Sequence, residues 1–99
     1  MANIGTLSGL GKLWDRNRDL GPIDYDIQVF EDRELRRGEG TLRWVGQGPW
    51  DSFQVGKPLM LMLKTGEQVS LTIKSLHNEG ADILATGTIP KPIDLFADS

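Results

Sequence analysis

The chain contains no cysteine among its 99 residues, and this absence removes several kinds of site at once. Disulfides, thiolate metal sites and cysteine nucleophiles are excluded, since each needs a thiol. A single histidine, His77, also excludes a metal site built on two histidines of this chain. We therefore expect no metal site and no cofactor. A cysteine-free chain fits a reducing compartment, and its first residues have neither a basic start nor a long apolar stretch, so we expect a cytoplasmic protein.

Long hydrophobic runs are also missing. The longest uninterrupted apolar run, at residues 59–63, is far short of the roughly 20 residues that cross a bilayer. No membrane partner is therefore expected. An excess of basic residues is missing as well, because 14 acidic residues outnumber 11 basic ones and the net charge is −3. This balance argues against indiscriminate attraction to phosphate backbones, which a basic excess normally supplies. Specific binding of an anion at one site remains open.

What the chain does contain is a clear alternation of apolar and polar residues. Residues 59–63 and 68–74 flank Thr65-Gly66-Glu67, a pattern typical of a β-hairpin. Residues 23–29 alternate in the same way. Successive strand side chains point to opposite faces, so every second residue of such a segment enters the core. We predict a common core containing Ile27, Val29, Leu42, Val69, Leu71 and Ile73.

The alternating signal recurs in six short segments separated by turns. No segment shows a sustained 3.6-residue period, so at most one short helix is expected. Short strands at regular spacing predict an all-β fold, and closure of the sheet removes the exposed edges that promote aggregation. We predict a small antiparallel β-barrel of five or six strands, OB-like or SH3-like. It forms one domain over residues 1–90, with a C-terminal tail at 91–99.

Two further expectations concern how this barrel is connected. The similar triplets Gly5-Thr6-Leu7 and Gly87-Thr88-Ile89 predict that the first and last strands pair and close the barrel. The residues at 15–19, Asp-Arg-Asn-Arg-Asp, predict a polar loop after a first strand at 4–13, and this loop ends in Gly21-Pro22.

The segment around that loop is the best candidate for recognition. Trp14 can stack on a base or a sugar, while Arg16 and Arg18 can pair with phosphate or carboxylate. Arg43 is grouped with them as a fourth ligand-binding residue. These residues predict a non-catalytic binding module for an anionic ligand, such as single-stranded nucleic acid or a nucleotide. The alternative is that Trp14 caps the mouth of the barrel and that the arginines pair with Asp15 and Asp19 on an ordinary solvated surface.

A protein interaction or assembly module is the alternative function. The first strand of the predicted hairpin is apolar on both faces, so Met60 and Met62 need a cover outside the core. Outward methionines and aromatics are typical of interface centres. With Trp50 and Phe53 of the irregular segment before the hairpin, they predict a contact surface for a protein partner or a second copy. An enzyme ranks third and no catalytic residue is predicted, because no catalytic spacing is present.

The C-terminal segment Pro92-Ile93-Asp94-Leu95-Phe96 resembles a short docking peptide. That peptide, ideally Gln-Leu-Ser/Asp-Leu-Phe, attaches bacterial proteins to the replication sliding clamp. The resemblance covers five residues and lacks the leading glutamine. It implies a docking peptide in the tail, and the alternative is that Leu95 and Phe96 pack on the barrel.

Overall fold

The structure, a computed structural model, describes residues 2–33, 35–45, 54–87 and 89–90. It contains six strands: β1 (Ala2–Asp15), β2 (Arg18–Asp32), β3 (Leu35–Trp44), β4 (Pro58–Met62), β5 (Gln68–Leu76) and β6 (Gly80–Thr86). The strands form a closed antiparallel barrel in the order β1-β2-β3-β6-β5-β4. The predicted small all-β barrel is therefore confirmed. Within the described ranges, no helix is long and apolar enough to span a membrane.

The inward faces of the strands form one hydrophobic core, as the alternation predicts. All six predicted core residues are at most 1% exposed. Tyr25 brings a polar atom into this core, and its hydroxyl accepts a hydrogen bond of 3.1 Å from the backbone N–H of Lys64. The contact satisfies an oxygen whose burial would otherwise cost free energy. It also ties β2 to the turn that follows β4.

The hairpin predicted from residues 59–74 is formed by β4 and β5. Leu61 lies opposite Val69 inside the barrel, and Met60 lies opposite Ser70 on the outer face. The backbone N–H of Gly66 donates to the carbonyl of Leu63 at 2.9 Å and closes the turn. Gly66 has a φ of +93°, which a residue with a side chain rarely adopts. Glycine is therefore required at this position.

Closure of the barrel differs from the sequence prediction. β1 pairs with β4 through Lys12↔Met62, Leu13↔Leu61 and Trp14↔Met60, which we call the seam. β6 lies between β3 and β5. The predicted pairing of the first and last strands is therefore wrong. The connection from β3 to β4 spans residues 45–57, long enough for β4 to reach the far edge of the β1-β2-β3 sheet and leave β6 beside β3.

The connection between β1 and β2 is also shorter than predicted. Asp15 pairs with Arg18, so only Arg16 and Asn17 form the turn. The predicted polar loop at 15–19 is therefore wrong, because Asp15, Arg18 and Asp19 continue the two strands. Arg16 has a φ of +57°, a conformation that costs a residue with a Cβ about 1 kcal/mol or more.

The end of the described chain is fixed on the barrel beyond β6. Ile89 is 1% exposed, and its carbonyl accepts a hydrogen bond of 2.8 Å from Arg36 Nη1. Arg36 also pairs with Glu31, with 3.0 Å between Nε and Oε2. Ile89 thus belongs to the core of the barrel. The predicted tail at 91–99, with the docking-like segment, lies outside the described residues.

A substitution at Gly11 of β1 tests how closely β1 and β4 approach each other at the seam. A Cβ added there would overlap the carbonyl oxygen of Met62 and lie 3.0 Å from the Tyr25 ring. The carbonyl belongs to the backbone of β4, so a change of rotamer cannot relieve the overlap. We expect Gly11→Ala to lower the free energy of unfolding by roughly 1 to 3 kcal/mol, measured by urea denaturation. Ser8→Ala, an exposed control on the same strand, should change it by about 0.5 kcal/mol at most. Equal stability of the two variants would contradict the close approach of β4.

Candidate groove at the barrel seam

An open groove of about 1140 Å³ lies on the outer surface of the barrel, above the seam. Outward side chains of three strands form its floor, and the β1–β2 turn and residues 54–58 form its walls. The floor consists of Trp14 from β1, Met60 and Met62 from β4, and Gln68 and Ser70 from β5. The groove therefore contains Trp14, Arg16 and Arg18 of the predicted recognition segment. It also contains Met60 and Met62 of the predicted protein-contact surface.

Strand register explains why these side chains share one face. Trp14 lies opposite Met60, and Met60 lies opposite Ser70 on the next strand. Directly opposed residues of antiparallel strands have Cβ atoms about 4.5–5.5 Å apart and point the same way. Leu13 and Leu61, next to them in the chain, are fully buried in the core. The inner face of the seam thus closes the core, while its outer face supplies the floor of the groove.

Trp14 is the aromatic side chain of the floor. Its indole Nε1 is buried and has no hydrogen-bond partner among the described residues. A buried donor without a partner costs about 1–3 kcal/mol, so this nitrogen lowers the stability of the seam. Lys12 Nζ lies 5.9 Å from the centre of the Trp14 ring and 3.3 Å from Asp19 Oδ2. The ammonium group of Lys12 therefore lies within cation–π distance of the Trp14 ring.

The walls of the groove are locally basic. Arg16 and Arg18 are exposed and have no ion pair with any described residue. Lys57 pairs with Asp15, with 2.6 Å between Nζ and Oδ2, and the two side chains are only 29% and 18% exposed. The walls therefore contain three cationic side chains, Arg16, Arg18 and Lys57, and one carboxylate, that of Asp15. The groove carries positive charge although the chain as a whole is acidic.

A tight turn holds Lys57 in this wall. The backbone N–H of Lys57 donates to the carbonyl of Gln54 at 3.0 Å, and Gly56 in the third position has a φ of +86°, as a type II turn requires. Hydrogen bonds join this turn to β5, from Gly56 N–H to the Ile73 carbonyl and from Ile73 N–H to the Lys57 carbonyl. The Val55 side chain at the rim is 65% exposed. The wall is thus anchored through its backbone while its side chains face the groove.

The structure separates Arg43 from the other predicted ligand-binding residues. Arg43 lies on β3, opposite Asp24 of β2, and lines two smaller depressions away from the groove. Trp50 and Phe53 of the predicted contact surface lie outside the described residues. Sequence reasoning did not select Lys57, Gln68 or Ser70, because only the pairing of distant strands brings them to Trp14.

A second polar cluster lies at the β5–β6 turn. Asp82 Oδ2 is 2.8 Å from His77 Nε2 and accepts a hydrogen bond of 2.9 Å from Ser75 Oγ. Ser75 Oγ is 3.5 Å from the same ring nitrogen. A proton relay of serine, histidine and aspartate needs the two partners on opposite ring nitrogens, so this arrangement is not that of a catalytic triad. The cluster instead joins the ends of two paired strands.

Metal binding receives no support from the described part of the chain, where no group of three or more histidine, aspartate or glutamate side chains could hold a metal ion. Comparison of the sequence with protein-family models and curated proteins, and of the structure with solved structures, finds no match. The geometry and charge of the groove are therefore the features of the molecule that bear on its function.

Asp82 gives the turn cluster a measurable pH dependence. Its hydrogen bond with His77, and then that with Ser75, lowers the pKa of Asp82 below its ordinary value. A lowered pKa in the folded state means that the stabilisation is present above the unfolded pKa of about 3.9 and is lost as the pH falls below it. We expect Asp82→Asn to be less stable than the natural chain at pH 7, with the difference shrinking below pH 4 in urea denaturation.

Asp24→Asn is the matched control for this measurement, since Asp24 is an exposed strand carboxylate with no hydrogen bond or ion pair to a described residue. It should follow the pH profile of the natural chain. A constant difference between Asp82→Asn and the natural chain from pH 7 to pH 3 would contradict the assignment.

Proposed function

We propose that the protein is a non-catalytic binding module whose groove takes an anionic ligand with a flat ring, such as a nucleotide or single-stranded nucleic acid. One observation carries the proposal. The groove joins an aromatic and apolar floor to two arginines, Arg16 and Arg18, that have no counter-charge among the described residues. Each part suits a different portion of such a ligand.

The physical chemistry of the two parts is complementary. An aromatic side chain that stacks on a base contributes about 1–3 kcal/mol per base, independently of the base. Guanidinium groups form strong, charge-assisted hydrogen bonds with phosphate oxygens. In chain order, the β1–β2 turn that carries Arg16 corresponds to the first loop of the OB-fold, which borders the ligand in that fold.

A protein partner is the second candidate, favoured by Met60 and Met62 in the floor and by the exposed Val55 at the rim. Methionines adapt to irregular apolar surfaces and are enriched in interfaces. Salt separates the two candidates. Binding through phosphates weakens as salt is added, whereas binding through apolar contact depends little on it.

Arg16 and Arg33 form a matched pair for testing the proposal. Both lie in turns between paired strands and have positive φ, 57° and 52°, but only Arg16 lines the groove. We expect Arg16→Ala combined with Arg18→Ala to weaken binding of a thymidine oligonucleotide at least tenfold at low salt. Hydrogen bonds to charged groups contribute about 1.5–3 kcal/mol each, which supports a loss of this size. Arg33→Ala should bind within about twofold of the natural chain.

The measurement is an NMR titration that follows the Trp14 indole N–H, assigned with Trp14→Phe. The oligonucleotide should shift this resonance in the natural chain and in Arg33→Ala. The proposal fails if the resonance does not move at low salt, or if Arg33→Ala loses as much affinity as the double variant. Spectra of the free variants show whether each remains folded.

A further inference from the structure

The size of the groove distinguishes between a single nucleotide and a single-stranded nucleic acid, the two ligands that suit its side chains. Pockets that enclose small molecules usually have volumes of roughly 300–1,000 Å³ and bury most of the ligand. This groove has about 1140 Å³ and lies open on the outer surface of the barrel. Its floor crosses β1, β4 and β5, about 10 Å, and the groove as a whole, including the wall residue Pro58, follows β4 from Pro58 to Met62, about 14 Å. Such a groove is longer than one stacked ring.

The floor also changes in character from one side to the other. The β1–β2 turn and its flank carry Arg16 and Arg18, β1 and β4 carry Trp14 and the two methionines, and β5 carries uncharged polar side chains, Gln68 and Ser70. Met62 lies opposite Gln68 and Met60 opposite Ser70. These three kinds of side chain suit the three parts of a nucleotide unit. Cations bind the phosphate, an apolar and aromatic surface stacks on the face of the base, and uncharged polar groups hydrogen-bond to the edge of the base.

We infer that the groove binds a short stretch of single-stranded nucleic acid, with the phosphates along the β1–β2 turn and the base edges towards Gln68 and Ser70. The inference rests on the proposed function and narrows its ligand class. The open groove lets a strand enter and leave, and its length along β4 accommodates more than one base. Asp15 neutralises Lys57, so the two arginines supply the phosphate contacts, about two in all.

The number of contacts sets the salt dependence. For single strands, the slope of log K against log salt concentration is about −0.7 per phosphate contact, so two contacts give about −1.4. Arg18→Ala should reduce the slope to about −0.7, and Arg33→Ala should leave it unchanged. Asp15→Asn frees Lys57 from its partner and should raise affinity severalfold, with a slope near −2.1. A gain in affinity cannot arise from unfolding.

The test measures affinity for thymidine monophosphate and for thymidine and uridine oligonucleotides of two, four and eight units, at four salt concentrations. We expect affinity to rise by more than tenfold from one unit to four, and by about twofold or less from four to eight. Binding of either the DNA or the RNA series in this way supports the inference, and the comparison identifies the sugar that is preferred. Gln68→Ala should weaken binding of the four-unit strand without changing the salt slope, because Gln68 is uncharged.

The outcomes separate the inference from the proposed function. If the monophosphate binds as tightly as the four-unit strand, the groove takes a nucleotide, so the inference is wrong and the proposed function stands. If no member of either series binds at low salt, both are wrong, and the protein partner becomes the leading candidate. If Asp15→Asn keeps its fold but neither gains affinity nor steepens the slope, the phosphate path along this wall is wrong.

Discussion

The short seam between β1 and β4 is the constraint on which the rest of the structure depends. The seam consists of three residue pairs, and its inner and outer faces contribute to different parts of the structure. Leu13 and Leu61 on the inner face are completely buried and complete the core. Trp14 and Met60 on the outer face form the centre of the groove floor. Without the seam the barrel would be an open sheet and the groove residues would lie on its two opposite edges.

Polar contacts lie at both ends of this seam. Asp15, which follows the seam in β1, pairs with Lys57 just before β4 at 2.6 Å. At the other end, Tyr25 accepts a hydrogen bond from Lys64 just after the hairpin strand. Partly exposed ion pairs contribute no more than about 1 kcal/mol, whereas each buried leucine contributes about 1.5–3 kcal/mol. The apolar pair therefore supplies most of the stabilisation, and the polar contacts fix the register and the position of the wall.

Local alternation predicts the core but not the closure. Whether Leu71 or Ser70 faces inwards depends only on the pleat of one strand, so the core residues can be read from the sequence. Closure depends on which distant strands meet, and the similar triplets at residues 5–7 and 87–89 carry no information about that. The same distinction between local pattern and long-range pairing applies to the residues of the groove. Trp14 and Arg16 stand out by residue type, whereas Gln68 joins them only through the β4–β5 register, and Arg43 lies elsewhere despite its suitable chemistry.

The most direct test of this account is a set of cross-strand NOEs on the isotopically labelled chain. The seam predicts backbone NOEs between residues 12–14 and 60–62, centred on Leu13 and Leu61, and methyl contacts between these two leucines. It also predicts no ladder of backbone NOEs between β1 and β6, because β6 lies between β3 and β5. Backbone NOEs between the first strand and residues 87–89, with none between Leu13 and Leu61, would contradict the seam, and with it the groove and the function proposed for it.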